Sequence, residues 1–341
     1  MRNRGSTSAI LLLAMTLAVV IGCVERDEKI TVRRDGSARI VATFQSDTSD
    51  DVRNEDAAPG AAAGWTIEER RPVGNDGKEK YQLIATREFL PGAELPDTFA
   101  APGSAHADRM LRFPTRVTVE RRPDGMYYHF YRRYEPRRWA PVGALKDIAD
   151  EQSNPYLEQQ SGGGALDAFQ LRSLSEIQVR FAIERLETIA REAFVETNPQ
   201  APQDAWLAAH EALRDFRANI DYGALADLIR QAESGPEDDT FERLERQFED
   251  AVLEALESAL RASPGVSNLG GFRSEYASIK KGYGVTEDLA DENFTIRVEM
   301  PGTIIASNAE SSDGSTATWQ FPGPLLFDRP IELMVTSRVG P

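Results

Sequence analysis

The stretch Met126–Tyr134 (MYYHFYRRY) gathers side chains able to do chemistry: four tyrosines, one histidine and two arginines in nine residues. In an extended chain, successive side chains point to opposite faces. One face then carries Tyr127, His129, Tyr131 and Arg133; the other carries Tyr128, Phe130, Arg132 and Tyr134. Such a strand, with Trp139 close behind it, could line a ligand groove or stack its rings on sugars. It could equally be a structural strand between core and helices, with tyrosine hydroxyls at its edge.

Other candidate chemistry is thinner. The histidines are His106, His129 and His210. His210-Glu211 begins like the helical zinc-protease motif, but that motif needs a second histidine one turn later, where Arg214 stands. No transition-metal set is visible, and no cofactor is expected. Arginines recur in pairs at Arg33-Arg34, Arg70-Arg71, Arg121-Arg122, Arg132-Arg133 and Arg137-Arg138. The first three pairs precede predicted chain reversals. If those tips cluster, bidentate arginine contacts could hold phosphate, carboxylate or lipid headgroups. The alternative is pairing with acids of the same chain, such as Glu68, Glu69 and Glu120. Gly282-Tyr283-Gly284 lacks the third glycine and the strand–helix context of a dinucleotide loop. No Gly-x-Ser-x-Gly elbow occurs, and 55 carboxylates offer no ground for selecting a catalytic pair. The chain reads as a non-enzyme; a hydrolase would need two carboxylates converging in a cleft.

The N-terminus carries a clearer signal. Arg2 and Arg4 precede an apolar run from Ala9 to Gly22, interrupted by Thr16. The run is shorter than the ~20 residues that cross a bilayer as a helix, and its charged start and small-residue end follow the plan of an export signal. Val20-Ile21-Gly22-Cys23 resembles the lipobox of bacterial lipoproteins, with Val20 where that family most often has Leu. The resemblance implies cleavage before Cys23, acylation of its sulfur and attachment to a membrane through lipid. Cys23 is the only cysteine, so no intramolecular disulfide can form. Two or three acyl chains anchor stably, at ~0.8 kcal/mol per buried methylene.

Composition bounds the rest. A hydrophobic fraction of 41% and a charged fraction of 28% are those of a water-soluble body. The net charge of −16 becomes −18 when Arg2 and Arg4 are removed with the signal. Residues 23–140 carry 20 Lys/Arg and 20 Asp/Glu, whereas 141–270 carry 11 against 25, a net of −14. So acidic a middle argues against nucleic acid, whose binding neutralises phosphates, and against that segment lying on anionic lipid.

The elements follow from turn chemistry and periodicity. Lys29–Arg34 and Ser37–Gln45 flank Asp35-Gly36; Trp65–Arg71 and Lys80–Phe89 flank Asn75-Asp76-Gly77; Thr115–Arg122 and Met126–Tyr134 flank Pro123-Asp124-Gly125. Asp-Gly between β-branched or alternating runs predicts a hairpin, because glycine takes the positive φ of a tight reversal. Ser46–Gly64 and Pro91–His106 read as loops. Apolar residues at helical spacing predict helices from Leu166 to Ala193, after Pro202, over Tyr222–Glu233, and from Asp239, which stands in capping-box spacing to Glu242. Extended runs return at Phe294–Met300, Thr303–Ser307, Thr316–Phe321 and Ile331–Ser337. The expected class is α+β, with antiparallel hairpins from both ends of the chain forming a sheet and an inserted layer of three to four helices. The expected regions are 1–22 (signal), 23–140 (β-hairpins), 141–270 (acidic helices) and 271–341 (C-terminal β, joining the N-terminal sheet).

Glu299–Phe321 (EMPGTIIASNAESSDGSTATWQF) resembles a stretch of uncharacterised envelope lipoproteins of the mycobacterial LppM type. In those, a proline-glycine precedes a strand, a polar turn follows and a tryptophan sits in the next strand. The resemblance implies a β-rich envelope domain. Together these readings predict a lipid-anchored, non-catalytic envelope protein that meets a protein partner or serves structure, held at the membrane with its body outside the cytoplasm. The alternative is a small-molecule, glycan or lipid-binding module using Tyr127, His129, Tyr131 and Trp139.

Overall fold

The computed structural model describes residues 24–49, 52, 58–74, 77–100, 109–223, 238–266 and 269–340. Residues 1–22 (the expected signal), Cys23, His106, Asn75-Asp76 and most of the Tyr222–Glu233 helix candidate lie outside the described residues, as do the side chains of Asp239 and Glu242, the expected capping box. The chain divides into two compact units, residues 24–139 with 281–340, and Ala140–Lys280.

Eleven strands are described: β1 Glu25–Val32, β2 Ala38–Ser46, β3 Thr66–Arg70, β4 Tyr81–Phe89, β5 Thr115–Arg122, β6 Gly125–Tyr134, β7 Asn293–Glu299, β8 Thr303–Ser307, β9 Ser311–Asp313, β10 Thr316–Pro322 and β11 Ile331–Val339. They form two sheets, in the orders β3-β4-β2-β1-β7-β10-β9 and β5-β6-β11-β8. The α+β class and the return of the terminal strands are as expected, but the strands are shared between two sheets. β7 joins β1 in parallel, Glu25 opposite Asn293, whereas β11 pairs antiparallel with β6. A parallel neighbour needs a long crossover, and here the rest of the chain supplies it.

The period-2 pattern drives this arrangement. Ile30, Ile40, Phe44, Leu83, Ile296 and Trp319 from the seven-stranded sheet share one buried cluster with Tyr128, Phe130, Leu333 and Val335 from the four-stranded sheet. The two inner faces therefore pack as a sandwich. Aromatic rings run through the core: Phe99–Phe113 at 4.7 Å, Phe113–Tyr134 at 5.8 Å, Tyr134–Phe321 at 5.6 Å and Phe321 stacked on Phe294 at 5.0 Å. Phe99 comes from the Pro91–His106 loop, which thus contributes to the core. The hairpin turns use glycine as anticipated: Gly36 has φ +84°, and Gly125 has φ +143° with its α-carbon against the Val339 carbonyl, where any β-carbon would clash.

Five helices are described: α1 Ala140–Ser161, α2 Ala168–Thr197, α3 Gln203–Ala218, α4 Asp238–Ala262 and α5 Phe272–Asp288. α2 starts in a capping box, in which Asp167 accepts from Phe169 N and Gln170 N while Gln170 Oε1 accepts from Asp167 N. It buries Leu174, Val179, Ile183, Leu186 and Ile189 along one stripe. α1 and α5 were not anticipated. α1 holds Pro155 and buries only Val142, Gly143 and Ser153 among its residues, so it has little apolar period to read. α5 contains Gly282 and Gly284, and it carries helical structure past residue 271, where a β region was expected.

Candidate functional site

β6 is an inner strand, with β5 on one side and β11 on the other. Its two faces have separate environments, as the alternation required. Tyr128, Phe130, Arg132 and Tyr134 are buried in the sandwich, and Tyr128 donates its hydroxyl to the Arg34 carbonyl at 2.7 Å.

Tyr127, His129, Tyr131 and Arg133 face outward, and here the sheet satisfies them itself. The Tyr127 hydroxyl donates to Asp124 Oδ2 at 2.6 Å, while Arg122 lies 4.3 Å over its ring. His129 Nδ1 is 3.0 Å from Thr336 Oγ1, and its Nε2 is 3.7 Å from Glu120. The Tyr131 hydroxyl donates to Glu332 at 3.0 Å. Trp139 is not part of this face. Its ring lies 5.3 Å from Phe327 and its backbone N–H donates to Asp328 Oδ1 at 3.0 Å. Three of the four candidate residues are thus brought together, and the fourth is placed elsewhere.

Thr336, His129 and Glu120 form a hydroxyl–imidazole–carboxylate line that sequence reading did not find. Thr336 lies 207 positions from His129, so only the register of β11 against β6 joins them. A nucleophilic site also needs donors for the developing oxyanion. β11 lies between β6 and β8, paired regularly with β6 at Thr336, while its register against β8 shifts between Thr336 and Ser337. The hydrogen bond and charge of Arg122 hold the Glu120 carboxyl below its usual range, and the Tyr127 hydroxyl does the same for Asp124. Burial, followed by the bond to Glu332, pushes the Tyr131 phenol up, so it stays protonated as a donor. The face is a set of carboxylate acceptors and of hydroxyl and guanidinium donors already bonded to one another.

The arginine pairs separate. Arg33 binds Glu88 at 2.7 Å, Arg70 binds Glu68 at 2.7 Å and Arg122 binds Glu120 at 2.7 Å. Arg33-Arg34 and Arg70-Arg71 sit at opposite ends of the seven-stranded sheet, so the tips do not gather into one cationic site. Arg137 is spent internally on the carbonyls of Met110 (2.9 Å) and Gly282 (2.8 Å) and on Thr286 Oγ1 (3.2 Å). Burial and the neighbouring Arg109 push its guanidinium down to about 10. In the helical unit, His210 Nδ1 meets Glu187 at 2.6 Å, and Arg214 reaches the adjacent Asp215.

The deepest charges were also missed. Arg132 and Glu28 are fully buried and paired at 2.6 Å across the two sheets, with Arg132 also donating to Thr115 and Tyr134. Burial opposes the Arg132 charge, but Glu28 and Tyr134 more than offset it. Arg26 and Glu292 are buried 3.1 Å apart, the Arg26 guanidinium lying 4.9 Å over Phe44 and 4.8 Å over Phe294. Among the described residues, no group of three or more histidines, cysteines and carboxylates could hold a metal ion.

No family model and no curated protein matches the chain. A search of solved structures pairs it with the NMR structure of the folded domain of Mycobacterium tuberculosis LppM. That domain is 6% identical over 94% of this chain and 91% of its own, with a TM-score of 0.29. A superposition that loose transfers neither fold nor role.

Proposed function

We propose that this chain is a lipid-anchored, non-catalytic protein of the bacterial cell envelope, tethered through Cys23, whose body meets a protein partner or serves structure. The observation that carries the reading is Val20-Ile21-Gly22-Cys23 at the end of a short apolar run behind two arginines. No helix among the described residues is long and apolar enough to cross a membrane. The non-catalytic part is supported by the outer face of β6, where Tyr127, His129 and Tyr131 each spend their polar atoms on a neighbour in the same sheet. The test is Cys23→Ser in cells. The variant is expected to lose fatty-acid labelling and to leave the membrane fraction. Continued labelling, or membrane association that survives a carbonate wash, would refute the tether.

A further inference from the structure

β5 ends the four-stranded sheet, with β6 on one side and, among the described residues, no strand on the other. Its pairing fixes which backbone groups are left over. Pro114 continues the register opposite Arg133, and its carbonyl accepts from Arg133 N at 3.1 Å. Hydrogen-bonded and non-bonded pairs alternate along an antiparallel ladder, so Arg116, Thr118, Glu120 and Arg122 share their bonds with β6. Thr115, Val117, Val119 and Arg121 therefore turn their N–H and C=O groups to the open edge. That edge can be reached: Arg116 and every residue from Thr118 to Arg122 are exposed, and Val119 leaves 41% of its surface to water.

An open edge can pair with another strand unless its side chains forbid it. Here the side chains are self-complementary in one register. Two antiparallel copies centred on Thr118 set Thr118 against Thr118, Val117 against Val119 and Arg116 against Glu120, each contact repeated by the two-fold axis. Val117 and Val119 then exchange backbone bonds, and Val119 is covered. Arg116 and Glu120 fall in a non-bonded pair, where cross-strand side chains are closest. Centring on Val119 would oppose Arg116 with Arg122, and centring on Glu120 would oppose two glutamates, both unfavourable. Centring on Val117 would leave Arg116 against Thr118. The ions suit the first register. Among the described residues Arg116 has no ion-pair or hydrogen-bond partner, and Glu120 gives Oε2 to Arg122 and His129, which leaves Oε1 for a second guanidinium.

We propose that β5 is a self-association strand: two copies of the chain join antiparallel about Thr118, and the four-stranded sheet runs on through both. The partner of this edge is thus a second copy of the chain, whether or not Cys23 bears lipid. Backbone bonds supply the attraction, and the two Arg116–Glu120 pairs select the register.

The test is mild oxidation of the purified full chain in non-ionic detergent, read as the fraction of disulfide-linked dimer, with the native chain as the blank for Cys23. In the proposed register the two Thr118 α-carbons stand ~4.5 Å apart, within the ~4.4–6.8 Å that a disulfide spans. Thr118→Cys is expected to crosslink several-fold more than Thr66→Cys, an equally exposed threonine on β3, the terminal strand of the other sheet. Adding Arg116→Glu, or adding Glu120→Arg, sets like charges opposite one another and is expected to lose most of the crosslink. Mixing those two variants, one of them size-tagged, restores both ion pairs, and the mixed dimer is expected to return in several-fold excess over either self-dimer. That recovery also shows that both variants are folded. Thr118→Cys crosslinked no more than Thr66→Cys, or mixed and self dimers formed in statistical proportion, overturns the pairing.

Discussion

The two units handle charge in opposite ways. The β unit puts arginine and glutamate inside: Arg132–Glu28 and Arg26–Glu292 sit among phenylalanines with almost no exposure. Among the described residues, the helical unit keeps most of its acids outside, in short-range pairs such as Lys146–Asp150 and Arg172–Glu176, one helical turn apart, with the buried Glu257, held by Arg261 at 2.9 Å and Arg273 at 2.7 Å, as an exception. Both units leave apolar side chains at their surfaces, Phe169 at 76% in the helical unit and Leu90 at 80% in the β unit. A pair one turn apart is worth a few tenths of a kcal/mol, and losing it leaves nothing buried. A pair inside a sandwich is dear to break, because the survivor stays charged in a dry core. The Arg132–Glu28 pair therefore ties one sheet to the other, while most described charges of the helical unit lie at its surface.

The sharpest way to break this contrast is to cut one buried partner. Arg132→Met should destabilise the β unit by ~3–5 kcal/mol, since Glu28 is left unpaired, and Arg132→Met with Glu28→Leu should recover most of that loss. Urea titration of the three proteins reads the difference; equal losses in the single and double variants would remove the pair from the account. In the helical unit, the corresponding vulnerable point is a cap. Asp167→Ala removes the acceptor for Phe169 N and Gln170 N and should cost ~1 kcal/mol, seen as faster amide exchange in the first turn of α2.

A third test concerns pH. Burial pushes the Glu292 carboxyl up, Arg26 pulls it back only in part, and Asp288 adds to the rise. The folded state therefore holds that proton more tightly than the unfolded chain. The stability linked to this group is fully present below the unfolded carboxyl value and declines as pH rises through the folded one. The stability of the native protein minus that of Glu292→Gln should thus fall as pH increases from acid toward neutrality; a flat or rising difference would contradict the assignment. The smallest effect is expected on the outer face of β6. Tyr131→Phe gives up one part-exposed bond to Glu332 and should change stability by less than ~0.5 kcal/mol.

The hairpins were readable because Asp-Gly turns are local chemistry, and β1 with β2, and β5 with β6, pair around them as expected. α2 and α3 were readable from their apolar period. α5 offered a usable signal, Phe272, Tyr276, Ile279 and Tyr283 at helical spacing, that was not used. The division into two sheets was not readable, since both sheets draw on strands that look alike. Nor were the buried pairs: Arg132-Arg133 reads as an ordinary solvated doublet, and Glu28 stands 104 positions away. The alternation in β6 did place Tyr127, His129 and Tyr131 on one face, but their cross-strand partners Thr336 and Glu332 required the register of β11.

The account turns on Cys23, and the mass of the N-terminal peptide of protein purified from membranes tests it most directly. The prediction is a chain that begins at Cys23 and carries a diacylglyceryl group, with or without a further acyl chain on the new amine. A chain beginning elsewhere, or a free thiol at Cys23, would contradict it.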